Sequence, residues 1–260
     1  MVVNYLAITD IPSRHANALQ IIQMSDAIVK NGHKVNLIIP NFKSLKQSVT
    51  SYYDVSSKIN LIRIGKKKDN LTRIDNILLP LQLVLKNLFI KKDLIITRNL
   101  VISLIFIIFR IKHILELHDD LKISGNILSK IFKILRLLNS KSILKLVFIT
   151  NNLKKFVSKN YNYNSKNFKI LPDATSIVTK KLPVKSNKSK FKIGYFGSIY
   201  KSRGIELIIK LAKLDKKNKY YIYGGTKYDK NKLQKFKSKN LKINSQISYK
   251  KVKKKISQMD

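Results

Sequence analysis

The chain has 260 residues, enough for about two domains, and 44% of them are hydrophobic. This composition excludes a disordered chain despite the formal net charge of +39. The absence of cysteine excludes disulfide bonds, thiol catalysis and cysteine-ligated zinc, and it suits a reducing compartment.

The positive charge comes almost entirely from lysine, which is spread along the chain together with abundant asparagine and isoleucine. These three residues share A/T-rich codons, so genome composition is a sufficient cause. Arginine, the better bidentate ligand of phosphates and bases, is scarce, and this argues against nucleic acid as a partner. A lysine-covered surface is attracted to anionic lipid by up to about 1 kcal/mol per residue, which favours peripheral contact with an anionic membrane.

Short apolar runs alternate with longer segments of helical spacing in the first part of the chain. The run at residues 2–9 ends in a polar loop, and a helical pattern at 18–30 stops at Asn31-Gly32. Further strands are predicted at 34–40, 60–64, 93–97, 113–117 and 144–150. Short strands joined by helical crossovers predict a parallel sheet covered on both faces.

No signal peptide is predicted, because the first apolar run has no basic lead-in and ends at Asp10. The most hydrophobic segment, residues 100–109, is too short to span a bilayer and is followed by Arg110, so we predict a buried helix there. We therefore expect a cytoplasmic protein, in peripheral contact with the inner face of the membrane at most.

A polar, lysine-rich stretch at residues 179–190 is typical of a linker. After it, strands are predicted at 191–196, 220–223 and 241–243, with helices at 205–214 and 229–237 and a basic helix from Tyr249. The predicted division is thus a first domain at 1–178 and a second, incomplete domain at 191–260. Because the pattern stops midway, we expect the chain to be a fragment.

Ligands of open parallel α/β sheets bind beyond the carboxyl ends of the strands. The residues at the predicted strand ends are therefore the candidates for a binding cleft between the two sheets. They are Asp10, Arg98, His118, Asp119 and Asn151 in the first domain and Gly197, Ser198, Gly224 and Gly225 in the second. Their cations, amides and hydroxyls suit a polar, anionic ligand.

The junction FGSIYKSRGIE, residues 196–206, has the composition of a phosphate site. Gly197 permits close backbone approach, the next helix offers free N–H groups, and Lys201 and Arg203 add charge-assisted hydrogen bonds. Taken alone, the motif is equally compatible with a glycine turn carrying two solvated cations. It contains neither a dinucleotide fingerprint nor a P-loop.

Several segments, in order, resemble the retaining glycosyltransferases of family 4, which have the GT-B fold of two Rossmann-like domains. IPSRHANALQIIQMSDAIVKNGHKVNLIIP resembles the family's first strand end, acceptor loop, first helix and second strand. IITRN, ELHDD, VFITNNLKKFV and KILPDATS resemble later parts of the amino-terminal domain. IGYFGSIYKSRGIELIIKLAKL and YYIYGG resemble the start of the donor-binding domain.

The resemblance implies a nucleotide-diphosphate sugar as donor and a glycan or lipid-linked acceptor. Gly197 and Ser198 would lie at the diphosphate, although many members have arginine in place of Ser198. Arg203, with Lys201 beside it, would bind the diphosphate. Arg14, His15 and Asn17 fall in the acceptor-side loop, which lacks the double glycine of many members.

His118 matches the family's histidine near the transferred sugar, which makes it the candidate catalytic residue. The alternative is that Asp119 or Asp120 caps the following helix and His118 is merely nearby. No metal and no other cofactor is expected, since two adjacent carboxylates without a third ligand are a weak metal site. The family's E-x7-E region would lie beyond Asp260, so we expect this chain alone to show weak or no turnover.

Other charged residues have simpler interpretations. His113 begins a strand at the wrong end of the sheet for a ligand and is discarded as a site residue. His33 follows a helix stop and is interpreted as structural. His15 is equally compatible with an acceptor contact and with an ordinary loop position. The basic tail YKKVKKK, residues 249–255, is interpreted as a solvated helix face, with membrane docking as the alternative.

The sequence thus predicts a glycosyltransferase that moves a sugar to an acceptor hydroxyl with retention, in cell-surface glycan or polysaccharide synthesis. The sequence leaves two alternative functions open. One is a nucleotide-sugar epimerase of the same fold, and the other is a non-catalytic basic module that binds anionic lipid or nucleic acid.

Overall fold

The computed structural model describes residues 1–43, 45, 47–55, 58–68, 72–174, 190–200, 203–236 and 238–260. The chain forms two compact units, one of Met1–Thr50 and Val55–Thr175, the other of Ser51–Asp54 and Ser176–Asp260. The boundary at 178 stays a prediction, and residues 179–189 of the predicted linker lie outside the described residues.

The strands of the first unit are β1 (Val2–Leu6), β2 (Lys34–Phe42), β3 (Asn60–Lys68), β4 (Leu94–Thr97), β5 (His113–Leu117), β6 (Ile143–Phe148) and β7 (Phe168–Ile170). They form a parallel sheet in the order β3-β2-β1-β4-β5-β6-β7. The chain winds outward from β1 to β3 and then crosses back to β4. This is a doubly wound sheet, in which the ligand crevice lies at the carboxyl ends of the strands near the switch.

The helices of the first unit are α1 (Ala16–Lys30), α2 (Val49–Tyr53), α3 (Asp75–Leu88), α4 (Leu100–Ile108), α5 (Asn126–Ile134) and α6 (Asn151–Asn160). Helix α1 illustrates how the sequence sets them. Ala18, Ile21 and Ile22 recur at helical spacing and are buried against the sheet. The helix ends where Gly32 adopts a φ of 82°, a left-handed conformation that glycine accepts without strain.

The apolar segment at residues 100–109 forms α4, as predicted, and buries Ile102 and Phe106 in the core with Leu6 and Ile38. The end of this segment differs from the prediction, because Ile108 and Phe109 are largely exposed.

His113 is fully buried at the start of β5, at the opposite end of the strand from His118. Its ring nitrogens lie 2.8 Å from Ser103 Oγ and 3.0 Å from the Ile111 carbonyl. Burial lowers the pKa of this imidazole and favours its neutral form.

The second unit contains β8 (Lys192–Phe196), β9 (Lys219–Tyr223) and β10 (Leu241–Asn244), with α7 (Ile205–Leu214), α8 (Lys227–Gln234) and α9 (Tyr249–Ile256). Its sheet is parallel in the order β10-β9-β8. Ile205, Ile209 and Ala212 of α7 pack on Tyr220 and Ile222 of β9. The prediction of two α/β units, each with a parallel sheet, is confirmed.

Within the described ranges, no helix combines the length and the apolar character that crossing a bilayer requires.

Candidate functional site

The carboxyl ends of β4 and β5 lie side by side, because Thr97 of β4 is paired with Leu115 of β5. Arg98 follows β4, and His118 and Asp119 follow β5. All three line a small cavity of about 110 Å³, together with Glu116. Three of the residues that the strand-end rule predicted therefore line the same cavity.

Glu116 is the centre of this group, and sequence reasoning missed it. Its carboxylate is 5% exposed. Oε1 lies 2.6 Å from Nε2 of His118 and accepts a 2.9 Å hydrogen bond from the Gln20 amide. Oε2 accepts a 3.0 Å hydrogen bond from the Tyr5 hydroxyl. The available signal was a lone glutamate inside an otherwise apolar strand, HILEL.

The carboxyl group of Glu116 is held ionised. Burial acts to raise the pKa of Glu116, but the hydrogen bond and charge of His118, the Arg98 guanidinium and the Gln20 amide together lower it below its usual value. Since an ionised carboxylate only accepts hydrogen bonds, Nε2 of His118 must donate to it. Burial and the negative charge of Glu116 raise the pKa of Tyr5, which therefore stays a neutral donor.

Arg98 joins the same network through helix α1. Its guanidinium donates a short hydrogen bond to the Gln20 side-chain carbonyl, and the Gln20 amide in turn donates to Glu116. Residues from β1, α1, the end of β4 and β5 are thus linked in one polar group. Side chains held by several elements at once have little rotational freedom, which is what a binding site requires.

His118 lies between two carboxylates. Its side chain is 11% exposed, and Nδ1 lies 3.9 Å from Oδ1 of Asp173, whose side chain is 59% exposed. With Nε2 engaged by Glu116, Nδ1 is the ring nitrogen on the more open side. The arrangement can present one defined imidazole nitrogen to a ligand.

The two aspartates after His118 differ in their contacts. Asp120 caps the short 3₁₀ helix Leu121–Ser124, accepting a 3.2 Å hydrogen bond from the Lys122 amide and a short one from the Tyr161 hydroxyl. Asp120 is thus the helix cap, while Asp119 is exposed beside the cavity. Among the described residues, no three His, Asp or Glu side chains are grouped so as to hold a metal ion.

The loop after β1 carries the predicted acceptor residues. His15 is 71% exposed, and its Nε2 lies 3.8 Å from Oδ1 of Asp10. The Asn17 side chain accepts a 2.8 Å hydrogen bond from the Ala18 amide, and Arg14 is exposed. These residues are at the surface, where a large acceptor could reach them.

Asn151 is the first residue of α6 and is exposed, while Thr150 before it caps the helix by accepting a hydrogen bond from the Leu153 amide. Asn151 is not among the described residues that line the cavity at His118.

In the second unit, Gly197 and Ser198 directly follow β8 and are exposed. The Gly197 amide donates to the Tyr223 carbonyl at 3.2 Å, and the Tyr195 hydroxyl donates to the Ser198 carbonyl at 2.7 Å. A Cβ added to Gly224 would lie 1.9 Å from the Gly197 carbonyl oxygen. At these glycines, the two backbones that approach each other closely are those that follow β8 and β9.

At the amino terminus of α7, no cap by a side chain is found among the described residues. Gly204 precedes the helix in a left-handed conformation, with a φ of 70°, and as a glycine it has no side chain to offer as a cap. The first-turn N–H groups can therefore bind an anion. Arg203 is exposed beside them, and Glu206 lies in the first turn. Lys201 lies outside the described residues.

The architecture is similar to that of solved glycosyltransferases. WaaG, a glycosyltransferase involved in lipopolysaccharide biosynthesis, has a TM-score of 0.64 and 12% identity, over 98% of this chain and 71% of that chain. HepE from Anabaena, solved with UDP and glucose, has a TM-score of 0.60 and 12% identity, over 96% of this chain and 70% of that chain. The chain thus has a GT-B-like fold, as predicted.

A protein of Listeria monocytogenes described as a UDP-N-acetylglucosamine 2-epimerase is also similar, with a TM-score of 0.54 and 8% identity over 94% of this chain and 69% of that chain. No family model matches the sequence. No curated protein matches it either.

Proposed function

We propose that the protein is a retaining glycosyltransferase that moves a sugar from a nucleotide-diphosphate donor to an acceptor hydroxyl. The observation that carries this proposal is the buried Glu116–His118 pair at the strand ends of a GT-B-like fold. The resemblance to family 4 implies a histidine near the transferred sugar at this position, and this supports the proposal. The reaction class is supported by the similarity to WaaG, a glycosyltransferase, and to HepE, which was crystallised with UDP and glucose.

His118 is proposed to contact the donor sugar. Because Glu116 holds Nε2, Nδ1 is the nitrogen that would meet a sugar hydroxyl, in a fixed orientation. Arg98 and Asp119 line the same cavity and would contribute further polar contacts.

The donor diphosphate is proposed to bind in the second unit, at the start of α7. Arg203, Lys201 and the first-turn N–H groups would stabilise the negative charge that develops on the departing diphosphate. Gly197 and Ser198 would line this site from the end of β8. No metal or other cofactor is assigned to the reaction.

The acceptor is proposed to be a glycan or a lipid-linked sugar that meets Arg14, His15 and Asn17. A role in cell-surface glycan or polysaccharide synthesis is consistent with WaaG, which takes part in lipopolysaccharide biosynthesis. We further propose a cytoplasmic protein in peripheral contact with the anionic inner face of the membrane, because the net charge is +39.

A nucleotide-sugar epimerase is the second candidate, since a structure described as such an epimerase shares the fold. Where turnover is detected, product analysis separates the two reactions. A transferase releases a nucleoside diphosphate in an acceptor-dependent way, whereas an epimerase isomerises the nucleotide sugar without an acceptor.

Calorimetric titration with a panel of nucleotide sugars at low and moderate salt tests the proposal. We expect saturable binding of one nucleotide sugar that survives moderate salt. A basic module that binds polyanions through charge alone would instead lose affinity steeply as salt rises, for DNA and acidic vesicles alike.

A further inference from the structure

Helix α3 has two apolar faces, and the core uses only one. Leu79, Leu83 and Val84 are buried against the sheet and α4. The opposite side, which we call the outer face, carries apolar residues that are all exposed: Ile74, Ile77, Leu78, Leu81, Leu85, Leu88 and Phe89. A surface helix normally places polar residues there, as α6 does with Asn151, Asn152, Lys155 and Lys159.

The exposed apolar residues of α3 follow helical spacing and form one stripe. Leu78, Leu81, Leu85 and Leu88 recur every three or four residues, so they lie on one side of the helix. Phe89, at its carboxyl end, is 85% exposed. Isolated exposed apolar residues are ordinary, but a continuous stripe of this kind marks a surface that is covered by something.

Between residues 72 and 92, the exposed charged side chains are all cations. Arg73, Lys86 and Lys91 are exposed beside the outer face. Between residues 72 and 92 the sequence has a single carboxylate, Asp75, which points inward and is bonded to Lys68 and Thr72. An apolar stripe flanked by cations is complementary to an anionic lipid surface, because it offers both insertion and charge attraction.

Two other helices of the same layer, α4 and α5, also expose apolar residues beside cations. The crossovers to β4, β5 and β6 all run in one direction, so the right-handed rule places α3, α4 and α5 on the same face of the sheet. Ile108 and Phe109 are exposed at the end of α4 and are followed by Arg110. On α5, Ile127 and Ile134 are exposed together with Lys130 and Lys133, and the exposed Arg136 follows the helix.

We propose that the outer face of α3 is the surface by which this protein lies on an anionic membrane, with its leucines and Phe89 among the acyl chains and its cations at the headgroups. The inference deepens the membrane contact included in the proposed function and assigns it to α3 rather than to the basic helix α9. A second copy of the chain is the less suitable occupant, because two such faces would bring like charges together.

The chain contains no tryptophan, so one introduced residue reports on one position. Phe89→Trp places the reporter on the outer face, and Leu214→Trp is the matched control, since Leu214 is 82% exposed on α7. With phosphatidylglycerol-containing vesicles, the reporter at position 89 should shift to shorter wavelength and be quenched by brominated acyl chains. The reporter at position 214 should do neither, and equal quenching at both positions would overturn the proposal.

A second pair of variants measures affinity in a vesicle co-sedimentation assay. Leu81→Glu/Leu85→Glu should weaken binding to phosphatidylglycerol vesicles by about tenfold or more, because it places carboxylates among acyl chains. Leu207→Glu/Leu211→Glu, with the same spacing on exposed positions of α7, should leave binding unchanged. Equal losses in the two variants would contradict a specific role of α3.

Two controls separate this proposal from its rivals. Circular dichroism and nucleoside diphosphate binding should be unchanged in Leu81→Glu/Leu85→Glu. The vesicle assay can therefore be interpreted even if the assignment as a transferase fails. Sedimentation without lipid tests self-association, and a dimer that Leu81→Glu/Leu85→Glu dissolves would show that the face binds a second copy instead.

Discussion

Oε1 of Glu116 lies 2.6 Å from Nε2 of His118, and the two side chains belong to residues two positions apart at the end of β5. Residues at this spacing project to the same face of a strand, so the contact is built into the local sequence ELH. The buried carboxylate fixes which imidazole nitrogen is engaged and which is left for a ligand. This pair is the chemical centre of the first unit.

Replacing Glu116 with glutamine should loosen His118 while keeping the size of the side chain. We expect a loss of about 1–3 kcal/mol in the free energy of unfolding, because a buried charged acceptor is lost. Binding of the nucleotide sugar should weaken more than binding of the nucleoside diphosphate. Urea denaturation and calorimetry measure the two effects. Tyr5→Phe is the control, since it removes one donor to Glu116 and leaves the His118 contact in place.

Asp75 should make the protein acid-sensitive. The hydrogen bond from Lys68, followed by those from Thr72, lowers the pKa of Asp75 to about 2. A carboxyl whose pKa is lower in the folded state stabilises the fold above its unfolded pKa of about 4, and this contribution is lost as the pH falls to about 2. We measure the free energy of unfolding by denaturation at several pH values. Between about pH 4 and about pH 2 it should fall less steeply in Asp75→Asn than in the unmodified protein. An unchanged slope would show that Asp75 does not contribute.

Four asparagines form a ladder across the first sheet. Asn60 donates to Asn36, Asn36 to Asn4, and Asn4 to Asn87 of α3, each at 2.8 Å. Asn4→Leu should cost about 2 kcal/mol of unfolding free energy, because it leaves buried amides unpaired. Asn60→Ala removes the exposed end of the ladder and should cost less than about 1 kcal/mol. Equal losses of unfolding free energy in the two variants would mean that the buried hydrogen bonds of the ladder contribute no more than the exposed one.

Gly224 should tolerate no larger residue. In Gly224→Ala the new Cβ would lie 1.9 Å from the Gly197 carbonyl oxygen, so the ends of β8 and β9 would have to separate. Thermal unfolding should show a loss greater than the roughly 1 kcal/mol expected from backbone strain alone. Gly32→Ala is the comparison, because its Cβ would meet nothing within 4 Å and only its left-handed backbone is strained. A smaller loss at Gly224 than at Gly32 would contradict this account.

Local patterns predicted most of the fold. Helix α7 was predicted at its observed bounds, because its apolar spacing is regular and Gly204 precedes it. The short strand Phe168–Ile170 was missed, since three residues carry too little periodicity to be distinguished from a loop.

The candidate site was predicted only where the strand-end rule applies. That rule found Arg98, His118 and Asp119, which share one cavity. It could not find Glu116, because its partners Tyr5 and Gln20 are 111 and 96 residues away in sequence. The outer face of α3 was also missed, because its apolar residues are indistinguishable in sequence from core residues. The expectation that both units face one cleft stays a prediction.

The central claim is tested most directly by calorimetric titration of a nucleoside diphosphate and its nucleotide sugar into the protein and into Arg203→Ala. We expect saturable binding by the unmodified protein and a loss of about tenfold or more in Arg203→Ala, the scale of a charge-assisted hydrogen bond. Arg73→Ala, which removes an exposed arginine of the first unit, should bind as the unmodified protein does. Unchanged affinity in Arg203→Ala, or no saturable binding of any nucleotide sugar, would contradict the account.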